Sequence, residues 1–173
     1  MCCFAPVKRE YNFGKKYHIL LQIIALLLFL LLVAGCNTPL RSDRVIDGDT
    51  FVVTDLAVIR LWGIDAPEMD QPFGQEAKDA LIKLLGRRRL TIEQKGTSFR
   101  RLVARVRAGR QDVALELLKQ GLAWHDSRYA PKQDNYARAE AEAKSLRLGV
   151  WSDPDAIPPW QWRKQHNLPE QDN

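Results

Sequence analysis

Of the six charged residues between positions 47 and 68, five could act together: Asp47, Asp49, Arg60, Asp65 and Glu68. Carboxylates are the protein's oxygen donors for hard cations such as calcium, and a carboxylate beside a bound water can act as its general base. A guanidinium presents a fork that matches phosphate. Cation, base and arginine together suit phosphodiester hydrolysis, in which charge develops on the phosphoryl oxygens and the leaving group. Taken alone, Asp47-Gly48-Asp49 reads as a plain turn, and Asp65-Ala66-Pro67-Glu68 as a loop with a solvated acid. Arg60, between Ile59 and Leu61 in a strand-like run, demands a partner. The combination is what gives the pattern its specificity.

The elements that must carry these residues can be read from periodicity. "RVIDGDTFVVT" and "AVIRLWGI" are rich in β-branched and aromatic residues and read as two strands, with breaks at Gly48 and Gly63. Residues 74–86 place Ala77, Leu81, Leu84 and Leu85 at helical spacing with Gly86 as a stop. "RRRLTIEQ" and "RLVARVRAG" alternate as strands. "DVALELLKQG" predicts a helix capped by Asp112, and "DNYARAEAEAKSLRLG" a second with Tyr136, Ala139, Ala143 and Leu146 on one face. The tail, with Pro154, Pro158, Pro159 and Pro169, is punctuated beyond any long regular element. The order predicts an α+β fold around a small curled sheet or barrel.

Composition narrows the setting. Of the formal charge of +5, Lys8, Arg9, Lys15 and Lys16 against Glu10 account for +3, leaving +2 for residues 37–173. Total charge is therefore a weak sign of a polyanion partner, but Arg87–Arg89 and Arg100, Arg101, Arg105, Arg107 and Arg110 concentrate cations locally. Residues 19–34 contain one polar residue, Gln22, between a basic start and Gly35-Cys36. That layout describes an export signal and is short of a spanning helix. Val33-Ala34-Gly35-Cys36 resembles a lipobox, so we expect 1–36 to be a signal peptide with Cys36 lipidated, 37–43 a tether, 44–152 the folded domain and 153–173 a Pro-rich tail. An uncleaved anchor and simple secretion are the alternatives, and all three place the fold outside the cytoplasm. Residues 37–173 hold no cysteine, which excludes disulfides and thiolate metal sites there.

The segments Asp47-Gly48-Asp49-Thr50 and Arg60-Leu61-Trp62-Gly63-Ile64-Asp65-Ala66-Pro67-Glu68 resemble the first two motifs of the staphylococcal nuclease (thermonuclease) family. The resemblance runs from about 44 to 152. It implies a five-stranded OB-type β-barrel with three α-helices, and calcium-dependent cleavage of DNA and RNA to 3′-phosphates by a monomer. By position it makes Asp49, Asp65 and the Ala66 carbonyl the calcium ligands, Asp47 a supporting charge, Glu68 the general base, and Arg60 and Arg101 the phosphate-binding arginines. The third family motif departs from the pattern: the usual tyrosine and glycine are Phe99 and Arg100 here. Phe99 and Arg100 are expected to touch substrate, Tyr129 to stack a base, and strand alternation to keep Arg100 and Arg101 from both facing the site. His125 reads as a packing residue. A non-catalytic OB-type nucleic-acid-binding module is the alternative function, and retention of Asp49, Asp65 and Glu68 weighs against it.

Overall fold

The computed structural model describes Gln22, residues 40–53 and residues 57–169. Apart from Gln22, the expected signal, including Cys36, lies outside the described residues. Among those that are described, no helix is long and apolar enough to cross a membrane.

The acidic turn separates two short strands, β1 (Arg44–Val45) and β2 (Thr50–Val53), which pair antiparallel with Val45 opposite Phe51. β2 pairs antiparallel with β3 (Ala57–Leu61), and β3 leads through a Trp62-Gly63 turn into β4 (Ile64–Asp65). Helix α1 (Gly74–Leu85) ends at Gly86, as its periodicity predicts. A long hairpin follows, β5 (Leu90–Ser98) and β6 (Arg101–Ala108), with a register shift between Gln94 and Gly96. β7 (Gln111–Asp112) pairs with β6, and α2 (Val113–Lys119) starts at once from an Asp112 cap that accepts from the Leu115 amide. β8 (Trp124–His125) pairs with β4; α3 (Asp134–Ser145), a 3₁₀ turn (Gly149–Ser152) and α4 (Pro159–Gln165) complete the chain.

The main sheet has six strands in the order β1-β2-β3-β6-β5, with β7 on β6, and β3 and β6 run parallel. This bears out the α+β class and corrects two expectations. No ladder closes β5 onto β1 among the described residues; one backbone bond, from the Leu90 amide to the Leu40 carbonyl, joins that side. Among the described residues from 40 onward the α-helices number four rather than three, because Pro158-Pro159 starts α4 instead of merely breaking the tail: proline's fixed φ and missing N–H are tolerated in a first helical turn. Residues 40–43, expected as tether, bond to the sheet through Leu40 and through the Asp43 amide, which donates to the Val52 carbonyl.

Phe51, Ile59, Leu61 and Val106 from the sheet meet Leu81 and Leu85 of α1 and Leu117 and Leu118 of α2 in one core. Each large side chain buried this completely stabilises the fold by roughly 1.5–3 kcal/mol. On α3 the buried face is Tyr136, Ala139 and Ala143, whereas Leu146 is the C-cap and 60% exposed. The helix ends before Leu146 can turn inward. Asp112 does more than cap: it also accepts from Arg105 Nε at 2.7 Å and from the Tyr136 hydroxyl at 3.0 Å, tying β6, α2 and α3 together.

Gly48 is required for space. A Cβ there would lie 2.7 Å from both Ala66 Cβ and Ala77 Cβ, so the acidic turn is pressed against β4's exit and α1. Gly48→Ala should therefore destabilise the fold by about 1–3 kcal/mol in denaturant unfolding. Gly96→Ala, whose Cβ meets nothing within 4 Å, should change stability by under about 0.5 kcal/mol. Equal effects of the two would refute this packing account.

Candidate active site

The β1–β2 turn is held by its own acid. Asp47 accepts the Asp49 amide at 3.0 Å through Oδ1, and the Ile46 and Asp47 amides both donate to the Thr50 carbonyl. Such Asx geometry is what short acidic side chains do in turns, and here it fixes the direction of Asp49. The β2–β3 ladder sets Thr50 opposite Arg60, and the β3–β6 ladder sets Arg60 opposite Val103. Residues two apart share a strand face, so Arg101 falls on the face that Arg60 occupies. The turn at Gly63, where φ is 77° and a Cβ would strike Ala130, brings Asp65 back beneath the same arginine.

Arg60 is 1% exposed, and its fork bridges the two aspartates: Nη1 donates to Asp49 Oδ1 and Nη2 to Asp65 Oδ1, each at 2.8 Å. Asp49 also accepts from the Thr50 hydroxyl at 2.8 Å and from the Ala66 amide at 2.9 Å. A second guanidinium completes the cluster. Arg163, on α4, donates from Nη2 to Asp65 Oδ2 at 2.8 Å, and from Nη1 to Asp65 Oδ1 at 3.2 Å and Glu68 Oε1 at 2.6 Å. Sequence reasoning missed Arg163. The sole local signal was an aromatic and basic run, Trp160-Gln161-Trp162-Arg163, opening on a proline pair.

Electrostatics follow from burial and crowding. Burial, helped by the charge of Asp49, pushes Asp47 up to about 7. Burial also raises Asp65, against the opposing pull of Arg163 and Arg60. Glu68 is raised by burial too, with Arg163 opposing. Arg60 is the reverse case: burial works to lower it, but Asp49, Asp65 and Asp47 outweigh that and the guanidinium is held charged. Arg101 is lowered by burial and then by repulsion from Arg60, an effect that places it within electrostatic reach of the cluster.

The donor set suits a hard cation in chemistry, since every candidate ligand is oxygen. The arrangement seen does not form a cage: among the described residues no three acidic, histidine or cysteine side chains are grouped to hold a metal ion. Two arginines stand between the acids instead.

Around this cluster, Phe99 and Arg100 are the two turn residues of the β5–β6 hairpin, flanked by the Ser98–Arg101 pair, with φ of 44° and 67°. A two-residue hairpin with both φ values positive matches the twist of its strands. Arg100 is thus not part of an alternating strand, which replaces the expectation from strand alternation. Phe99 projects from the tip, 70% exposed. Tyr129 lies beside Arg128, whose guanidinium is 5.5 Å from the Tyr129 ring centre and 5.4 Å from that of Trp160. His125 shares a ring nitrogen contact with the Ala130 carbonyl at 3.1 Å and meets Tyr136 edge-on, a packing arrangement.

A family model described as staphylococcal nuclease homologue matches residues 58–153. An uncharacterised endonuclease of Haemophilus influenzae is 32% identical over 154 residues, covering 84% of this chain and 86% of its own length. Protein ParB of Escherichia coli is 32% identical over 169 residues, covering 88% of this chain and 96% of its own. The staphylococcal-like nuclease CAN1 of Arabidopsis thaliana is 37% identical over 107 residues, which are 61% of this chain and 33% of that protein.

The raised Asp47 makes stability pH-dependent. Between its ordinary value of 3.8 and about 7 the folded state keeps a proton that the unfolded chain has released, so stability falls as pH rises across that window. In chelator, Asp47→Asn should be more stable than wild type by roughly 1–3 kcal/mol at about pH 8, with the difference closing near about pH 4. A variant less stable than wild type at the higher pH would contradict this sign.

Proposed function

Because the chain belongs to the staphylococcal nuclease family, we propose that it is a calcium-dependent nuclease that hydrolyses phosphodiester bonds of DNA and RNA. The observation that carries this reading is a buried arginine bridging two aspartates, with a third carboxylate and a further arginine beside it. Nuclease and endonuclease are also the activities named for relatives.

In this proposal Asp49, Asp65 and the Ala66 carbonyl would hold calcium, which would supply positive charge to the phosphoryl oxygens. The remaining roles fall to the chain's own groups. Glu68 takes the proton from the attacking water, and the burial that raises its pKa makes it a stronger base than a solvated glutamate. Arg60 and Arg101 bind the scissile phosphate, and Arg101 eases departure of the 5′-oxygen, leaving a 3′-phosphate. Asp47 supports the ligands by orienting Asp49 through the turn. Phe99 and Arg100 at the hairpin tip, and Tyr129 beside Arg128, contact substrate: a ring stacks on bases and guanidinium groups meet backbone phosphates. The enzyme works as an exported monomer held to a membrane by lipid on Cys36.

Glu68→Gln and Arg101→Gln change groups at the edge of the cluster and should leave the fold intact by circular dichroism. Each should lower kcat/KM on duplex DNA with calcium by about 10²-fold or more. Arg60→Ala should in addition lose about 3–5 kcal/mol of stability, since it leaves two buried carboxylates without their bridge. Undiminished cleavage by both folded Gln variants would defeat the proposal.

A further inference from the structure

Arg163 reaches the cluster from far along the chain. It is 3% exposed, yet it sits on a seven-residue helix, too short to sustain itself without tertiary contacts. Several of those contacts fall on the loop that carries Glu68. Gln71 accepts the Glu68 amide at 3.1 Å and donates to the Ile157 carbonyl at 2.8 Å, while Trp162 Nε1 donates to Asp70 at 3.3 Å. A cleft lined by Gln71, Phe73, Trp124, Ile157 and Trp162 runs between this segment and the body.

The seat of the guanidinium is incomplete in a telling way. Both Nη atoms are satisfied, but only by Asp65 and Glu68, and Nε is buried with no hydrogen-bond partner among the described residues. A buried N–H left unmade carries a penalty that the two ion pairs must offset. Arg163 is therefore held in place by the two acids, and by little else at its head group.

These are the same two acids that the proposed chemistry needs, one as cation ligand and one as base. Arg163 on Glu68 Oε1 neutralises the charge that would draw a proton from water. A divalent cation on Asp65 would lie beside the guanidinium in a poorly screened site, where like charges repel strongly. We propose that Arg163 is a built-in cation that closes the site through α4, so that binding of a divalent cation and docking of the C-terminal helix exclude each other. The inference rests on the calcium reading of the same site. By linkage, whatever affinity the docked helix removes from calcium, calcium removes from the docked helix. Trp160 extends the closure: its ring meets Arg128 beside Tyr129, so undocking also uncovers the side on which a base is proposed to stack.

The test uses the full-length chain in detergent, with calcium raised to about 10 mM, above the range of weak extracellular sites. By titration calorimetry, Arg163→Gln should bind calcium at least about tenfold more tightly than wild type. In the wild-type chain, calcium should speed hydrogen exchange at the Trp162 and His166 amides, whose bonds lie at the start and end of α4, by about tenfold or more while core amides stay protected. The exchange arm needs no variant, so it decides the matter even where Arg163→Gln does not fold. Equal or weaker calcium binding by a folded Arg163→Gln, or unchanged exchange in α4 with calcium bound, overturns the closure and leaves the nuclease reading standing. No calcium binding by either protein overturns both.

Discussion

Arg60 buried between Asp49 and Asp65 is the interaction on which the rest of the structure depends. Three ionisable groups withdrawn from water are expensive, and they persist only where geometry returns the lost solvation. The fork of Arg60 does so by donating to one oxygen of each aspartate, while the Thr50 hydroxyl and the Ala66 amide complete Asp49. Each partner arrives from a different local device. Asp49 comes from a turn pinned by Asp47, Arg60 from a strand paired on both sides, and Asp65 from the reversal at Gly63. The apolar core beneath fixes these devices relative to one another, with Phe51, Ile59 and Leu61 on the strands that carry them.

Such a cluster is a poor way to gain stability, because well-packed apolar residues would serve as well or better. It accords with the proposed function, because a preformed set of carboxylates and guanidinium groups costs no reorganisation at the moment of reaction. The C-terminal helix belongs to the same logic. It brings one more positive charge to an acidic site and sets it on Asp65 and Glu68, so the resting electrostatics are balanced by the chain itself.

What could be read from the sequence was whatever local chemistry dictates. α1 followed from the spacing of Ala77, Leu81 and Leu85, and its end from Gly86; the Asp112 cap followed from a short acceptor ahead of an apolar run. The two acidic motifs brought Asp49, Arg60, Asp65 and Glu68 under suspicion together, and the fold brings these residues into one cluster. Arg163 was illegible because its partners lie 98 and 95 residues away, and a helix that short leaves no periodic trace. Gly48 read as a break between strands, whereas its role is steric, set by Ala66 and Ala77 from other elements. Phe99-Arg100 read as strand because neither residue is a usual choice for a turn of positive φ. Closure of the sheet was likewise a matter of tertiary approach, beyond the reach of alternation.

The most direct measurement of the central claim, that this buried cluster hydrolyses nucleic acid, is incubation of the purified chain with circular single-stranded DNA, with calcium and with chelator, followed by end-group analysis. The account predicts linearisation and fragmentation with calcium alone, and fragments that end in 3′-phosphate and 5′-hydroxyl. Circles that survive calcium intact, or that are cut equally well in chelator, would contradict it.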